Sequence, residues 1–174
     1  RRRDLLDRVG LFSDPAAADD RARYRQALRE RQKVLEVRGE NAPELDAYEQ
    51  LIARHGSRLG QIRERATEAL AVEALTGFRQ LAASALPFAM RYRPGGALDE
   101  LRFREELAVR RGSDRRRHGA TFGPHKDDLE LSIDGRSARK HASQGQHRIL
   151  TLTLKLAELV VELGGRARDA HLLG

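Results

Sequence analysis

Apolar residues recur every three or four positions through the first half of the chain, and this spacing predicts helices over residues 1–9 and 21–38. Residues 39–43 interrupt the pattern, and a longer helix is predicted from Glu44. Its apolar positions alternate by three and four, as in a coiled-coil seam: Leu45, Tyr48, Ile52, His55, Leu59, Ile62, Ala66 and Ala69. The short interruption favours an antiparallel helix pair. We therefore expect residues 1–86 to form a helical lobe.

The second half changes to alternating strand and helix patterns. Residues 88–92 alternate in polarity and predict a strand that ends at Pro94. A helix is predicted over residues 98–111, with Leu101, Glu105 and Ala108 at helical spacing. Residues 129–133 alternate strictly and predict a second strand.

The remainder of this half is predicted to be a hairpin, a helix and a strand. Asp134-Gly135 is a tight-turn signal, and a return strand is expected over residues 136–139. A helix follows the Ser at 143, ending near Gly164, with an apolar face of leucine and isoleucine: Ile149, Leu152, Leu156, Leu159 and Leu163. Residues 170–173 are expected to begin a buried strand. The predicted fold class is therefore α/β with a large helical lobe, and residues 87–174 form its α/β part.

The net charge of the chain indicates the class of partner that it binds. The chain of 174 residues carries 33 Lys and Arg against 26 Asp and Glu, a net charge of +7. That balance favours a polyanionic partner, nucleic acid before acidic lipid. The densest basic run lies at residues 115–118 and is expected in a loop. These basic side chains either contact the nucleic-acid backbone or form a solvated turn, and the sequence favours neither interpretation. The candidate DNA-contacting residues are Arg115, Arg116, Arg117 and Lys126.

Several classes of site are disfavoured. Cysteine is absent, which excludes disulfides and thiolate metal sites. No apolar run approaches the roughly 20 residues that span a bilayer, so no membrane partner is expected. His125, Asp127 and Asp128 are metal-ligating types, but adjacent strand residues point to opposite faces, so we predict no metal site. His55 is interpreted as a packing histidine, and no catalytic residue set is found.

Residues 142–150 contain the most informative pattern for function. Ser143 and Gly145 precede a strongly periodic helix, and a helix N-terminus leaves backbone N–H groups unpaired beside a partial positive charge. Such a turn suits a phosphate, with Ser143 adding a hydroxyl and Gly145 permitting close approach. The alternative is an ordinary serine N-cap with no ligand.

Three stretches together resemble the RecF family of ABC/SMC-like ATPases. Residues 1–7, Arg-Arg-Arg-Asp-Leu-Leu-Asp, are similar to the segment that opens the family's helical domain. Residues 123–129, Gly-Pro-His-Lys-Asp-Asp-Leu, match its Gly-Pro-His-basic-Asp-Asp-Leu strand. Residues 143–146, Ser-Gln-Gly-Gln, match its version of the ABC signature, although His147 departs from the family pattern. The resemblance spans nearly the whole chain.

The resemblance implies an ATP-dependent homodimer. In similar proteins two copies close head-to-tail around two ATP molecules, and the signature of one copy reaches the γ-phosphate held by the other. The implied ATP contacts are Ser143, Gln144, Gly145 and Gln146. Ser143 would hydrogen-bond the phosphate, Gly145 would offer its N–H, and the two glutamines would shape the turn.

The resemblance also implies a cellular role. The closed dimer would bind DNA at single-strand/double-strand junctions in replication, repair and the SOS response. It would help load RecA, with RecO and RecR as partners, in the bacterial cytoplasm. The cofactors implied are ATP and Mg²⁺.

The phosphate loop G-x-x-x-x-G-K-[ST] and the acidic magnesium strand are absent from these residues. We therefore expect an interior part of a longer weak ATPase, inactive by itself. The alternatives are another SMC-like ATPase, an ATPase coupled to a nuclease, or a basic helical DNA- or RNA-binding module without nucleotide dependence.

Overall fold

A computed structural model of the chain describes residues 2–82 and 86–172, with side chains as far as residue 164. Its helices are α1 Arg2–Ser13, α2 Ala17–Val37, α3 Glu44–Leu81, α4 Glu100–Val109, α5 Arg111–Arg116, α6 Ala138–His141 and α7 Gln144–Leu172. Its strands are β1 Phe88–Arg93, β2 Asp128–Ile133 and β3 Arg136–Ser137, with a 3₁₀ turn at Pro124–Lys126. None of the described helices is long and apolar enough to cross a membrane.

The predicted helices of the first half are confirmed. α2 begins four residues earlier than predicted, and α3 begins at Glu44 as predicted. The seam of α3 is buried at Leu45, Ile52, Leu59, Ile62 and Ala66. Beyond Ala66 it continues at intervals of four through Leu70, Ala74 and Phe78, so Ala69 was wrongly placed on the buried face and is exposed.

The strands and the hairpin are confirmed as well. The sheet order is β1-β2-β3, and β3 runs antiparallel to β2 with Ser132 opposite Ser137. Asp134 and Gly135 form the turn between them, at φ of 51° and 70°. Both angles are positive, as the tight hairpin turn requires. The return strand is shorter than predicted, because α6 begins at Ala138.

Two predictions in the second half are wrong. The basic run is not a loop, because Arg115 and Arg116 belong to α5 and Arg117 caps it. The helix predicted over residues 98–111 is present as α4, which buries Phe103 and Leu107 and leaves Leu101 67% exposed. α7 continues past Gly164 to Leu172, where a strand was expected. The Arg, Ala and Leu residues after Gly165 are good helix formers, which favours continuation; Leu173 lies outside the described residues.

The apolar face predicted for α7 is also wrong. Its buried positions are Leu150, Thr153 and Ala157, one residue round the helix from the predicted set. α1 packs against α7, and Arg8 on α1 forms an ion pair with Glu158 on α7. The predicted leucines lie mostly outward: Leu152, Leu156, Leu159 and Leu163 are between 43% and 56% exposed.

The chain divides into two compact units. The first unit comprises residues 1–15, 63–93 and 129–174, and includes α1, α7 and the sheet. Its core contains Phe78 stacked on Phe88 at a centroid distance of 4.9 Å. The second unit comprises residues 16–62 and 94–128. The predicted division at residues 86 and 87 stays a prediction.

The core of the second unit joins α2, α3 and α4. Its buried residues are Tyr24, Ala27, Ile52, Ala53, Phe103 and Leu107. Phe103 contacts Phe122 edge-on at 5.0 Å. His55, predicted to be a packing histidine, is mostly buried and its Nδ1 lies 2.8 Å from Asp20 Oδ1.

Candidate functional site

The N-terminus of α7 is closed by a reciprocal pair of hydrogen bonds. The N–H of Gln146 donates to Ser143 Oγ at 3.2 Å, and the N–H of Ser143 donates to Gln146 Oε1 at 2.8 Å. This arrangement is a capping box with glutamine at the third helical position. The serine N-cap of the sequence interpretation is therefore present, and Gln146 closes the turn, whereas the ATP contacts of residues 143–146 stay a prediction.

The capping box leaves part of the helix end available. Ser143, Gln144 and Gly145 are exposed. A Cβ added to Gly145 would meet only Ser143 Oγ, at 3.8 Å, so a ligand can reach the backbone here. Within the described part of the chain, the N–H groups of Gln144 and Gly145 have no hydrogen-bond partner.

This geometry suits an anion. The Ser143 hydroxyl accepts one hydrogen bond and keeps its own O–H to donate. Two backbone N–H groups and the positive end of the 29-residue helix α7 lie beside it. The site therefore offers three donors to one anionic group and holds no carboxylate among residues 143–146.

The Gly-Pro-His motif at residues 123–129 holds two loops of the second unit together. We call the hydrogen bonds that Gly123 and Asp127 form with the backbone of Gly95 the clasp. The carboxylate Oδ1 of Asp127, which is buried, accepts the N–H of Gly95 at 2.7 Å. The N–H of Gly123 donates to the carbonyl of Gly95 at 2.8 Å. A Cβ on Gly95 would lie 2.5 Å from Lys126 Cβ, so the two segments touch backbone to backbone.

His125 links two further parts of the second unit to this loop. Its Nε2 donates to the Ala120 carbonyl oxygen at 2.8 Å, because a carbonyl oxygen only accepts. Its Nδ1 lies 2.7 Å from the Tyr24 hydroxyl oxygen. His125 and Asp127 thus hold the loop. No group of three or more potential metal ligands occurs in the described residues.

Replacing Gly123 with alanine is expected to destabilise the protein by about 1–3 kcal/mol from backbone strain alone. Gly123 has φ of +128°, and an added Cβ would overlap the Tyr24 hydroxyl oxygen. Gly119→Ala is the matched control, because its nearest contact would be 3.8 Å away. Urea denaturation of both variants measures the difference. Equal midpoints would contradict the clasp.

The basic run lies on a helix anchored by a buried ionic network. Arg31, 1% exposed, donates to Glu49 at 3.0 Å, to Asp114 at 2.7 Å and to the Leu107 carbonyl at 2.8 Å. Asp114 also accepts the N–H and hydroxyl of Thr121 at 2.9 and 2.7 Å. The network thereby fixes the start of the basic run to α2, α3 and α4.

Arg111 closes this network at its edge. It donates to both carboxylate oxygens of Glu49, at 2.9 and 2.6 Å, and to Asp46 at 2.5 Å. The hydrogen bond to Glu49 raises the pKa of the Arg111 guanidinium above its ordinary value, against the opposing effect of burial. The Glu49 carboxylate therefore faces two permanently charged guanidinium groups.

The candidate DNA-contacting residues are all on the surface of the second unit. Arg115, Arg116, Arg117 and Lys126 are exposed. Acidic groups lie close to this run: His118 is 3.4 Å from Glu36, and Glu40 lies against Gly112. Exposure is compatible with phosphate contact, and the DNA-binding role of these residues stays a prediction.

Comparison with known proteins identifies relatives of similar sequence. No family model matches the chain. The DNA replication and repair protein RecF of Anaeromyxobacter sp. (strain Fw109-5) is 39% identical over 168 residues, covering 91% of this chain and 45% of that protein. The same-named protein of Parasynechococcus marenigrum (strain WH8102) is 34% identical over 181 residues, covering 95% and 50%.

A solved structure confirms the expected fold. The recombination mediator protein RecF-ATP of the RecFOR pathway superposes with a TM-score of 0.84 at 26% identity, covering 96% of this chain and 47% of that one. A second structure, RecF-ATPrS, gives 0.82 at 25% identity, covering 95% and 47%. The chain spans about half the length of the proteins it matches.

Proposed function

Since the comparisons confirm the resemblance to the RecF family, we propose that this chain supplies the signature surface of an ATP-dependent recombination mediator. In the complete protein, Ser143, Gln144, Gly145 and Gln146 contact the γ-phosphate of ATP bound by a second copy. ATP with Mg²⁺ is held mainly by residues outside this chain. ATP binding closes the dimer, and its slow hydrolysis opens it.

The exposed capping box at the N-terminus of α7 is the observation that carries this proposal. It provides a hydroxyl and two N–H groups without partners in the described structure, at the positive end of a long helix. A phosphate between two copies would satisfy all three donors at once. The similarity to the solved recombination mediator protein RecF-ATP supports nucleotide as the source of that phosphate.

The partner proposed for the closed dimer is DNA at junctions of single and double strands. The net charge of +7 and the exposed arginines of α5 support contact with the phosphate backbone. The names of the relatives, with replication, repair and the RecFOR pathway, support a mediator that acts with RecO and RecR to load RecA. A role in the SOS response and a cytoplasmic location are parts of the same proposal.

Replacing Arg115, Arg116 and Arg117 by alanine is expected to weaken DNA binding by the complete protein. Each lost phosphate contact lowers the slope of log affinity against log salt by about 0.7–0.9. Fluorescence anisotropy over a salt series measures this slope. Alanine at Arg25, Arg29 and Arg54 is the matched control, since these are also exposed arginines on helices. A slope equal to that of the control would assign the α5 run to the solvated surface.

A further inference from the structure

The sequence between Asp134 and Glu158 contains no acidic residue, although the chain has 26 Asp and Glu. The same stretch carries five residues of fixed positive charge and two histidines: Arg136, Arg139, Lys140, Arg148, Lys155, His141 and His147. A run of one charge sign concentrates positive potential at the surface. It begins in the β2–β3 hairpin and contains the signature turn.

Four of these bases lie on successive elements of the first unit. Arg136 is on β3, Arg139 and Lys140 are on α6, and Arg148 is in the first turns of α7. All four side chains are exposed. Within the described part of the chain they form no ion pair or hydrogen bond. We name these four residues the α6 surface.

Three bases elsewhere in the chain are neutralised by an acid within four residues. Arg23 pairs with Asp19 at 2.7 Å, and Lys33 pairs with Glu30 at 2.9 Å. Arg110 pairs with Glu106. The α6 surface has one acid nearby in sequence, Asp134, and no ion pair joins that acid to the four bases in the described part of the chain, so their charges remain available to an external anion.

A cavity joins the α6 surface to the signature turn. It has a volume of about 170 Å³, and its polar lining includes Arg136, His141 and Gln146, together with one acid, Asp134. Gln146 is also a member of the capping box. An anion bound at Arg136 would therefore lie next to the turn that holds Ser143.

We propose that the α6 surface binds the phosphodiester backbone of a nucleic acid, as a contact surface additional to the α5 run. The bases are spread over three elements rather than converging on one point, which suits an extended polyanion better than a single nucleotide. Three of the four are arginines, whose planar guanidinium matches phosphate oxygens in pairs. The inference rests on the proposed function, because it takes DNA as the polyanion.

The test uses the complete protein and the double variant Arg139→Ala/Lys140→Ala. Anisotropy with labelled oligothymidylate and with duplex is measured over a salt series. The expected result is a slope lower by about 1.4 on the single strand and about 1.8 on the duplex, for two lost contacts. Arg25→Ala/Arg29→Ala is the control, since it removes the same charge from an exposed helix face. The control slope is expected to stay at the wild-type value.

Each other outcome overturns the inference. Equal slopes in the double variant and the control assign the α6 surface to solvent. If the double variant binds DNA normally but no longer dimerises with ATP, the α6 surface binds the phosphates of a nucleotide instead of those of DNA. A wild-type protein that binds no DNA overturns the proposed function as well, whereas normal DNA binding by the double variant overturns this inference alone.

Discussion

Replacing Ser143 with aspartate is expected to abolish ATP-induced dimerisation of the complete protein while α7 stays folded. Aspartate caps a helix as well as serine does, so its carboxylate still accepts the N–H of Gln146. The same carboxylate loses the hydroxyl donor and places negative charge where the phosphate would bind. Light scattering with and without ATP measures the dimer, and thermal unfolding verifies that the fold is retained.

Two further variants separate capping from phosphate binding. Ser143→Thr keeps both the cap and the hydroxyl donor, so its dimerisation is expected to match the wild type. Ser143→Ala removes both, and its loss of the cap costs about 1 kcal/mol of stability. If Ser143→Asp dimerises as well as the wild type, the capping box is an ordinary helix start and the basic binding module becomes the better account.

Replacing Arg31 with methionine is expected to destabilise the protein by about 3–5 kcal/mol. The substitution leaves Asp114, which is 0% exposed, without the guanidinium that it pairs with, and leaves Glu49, which is 1% exposed, with Arg111 alone. Uncompensated buried charge is costly because the interior does not replace the hydration that the carboxylates lose. Equilibrium denaturation in urea measures the free energy of unfolding.

The exposed pair of Arg23 and Asp19 supplies the control for that experiment. These side chains are 62% and 64% exposed, so Arg23→Met is expected to change stability by no more than about 0.5 kcal/mol. If Arg31→Met also lowers the free energy of unfolding by no more than about 0.5 kcal/mol, water and not the guanidinium supplies the hydrogen bonds of Glu49 and Asp114. The network would then not anchor α5.

Local patterns predicted most of the elements of this fold. The heptad-like seam of α3 and the Asp134-Gly135 turn depend on neighbours in sequence, and both are confirmed. The buried face of α7 was predicted wrongly because sequence periodicity identifies the most hydrophobic face of a helix. Which face is buried depends on the elements that pack against the helix. The buried residues are Leu150, Thr153 and Ala157 instead, and Thr153 faces Gly77 of α3.

Ion pairs between residues that are far apart in the chain could not be predicted from the sequence. Arg31 and Asp114 are 83 positions apart, and no local pattern marks them as partners. The helix at residues 111–116 was missed for a related reason, since its charged sequence has no apolar face and Asp114 is held by tertiary contacts. The acid-free run after Asp134, by contrast, is visible in the sequence.

Amide hydrogen exchange at Gln144 and Gly145 tests the central claim most directly. In the complete protein without nucleotide, these N–H groups lack partners in the described structure and are expected to exchange rapidly. With ATP at protein concentrations that give dimers, both are expected to be protected. The N–H groups of Glu100 and Leu101, at the start of α4, serve as the internal reference and should stay unprotected. Rapid exchange at Gln144 and Gly145 in the ATP-bound dimer would contradict contact between the signature turn and the nucleotide.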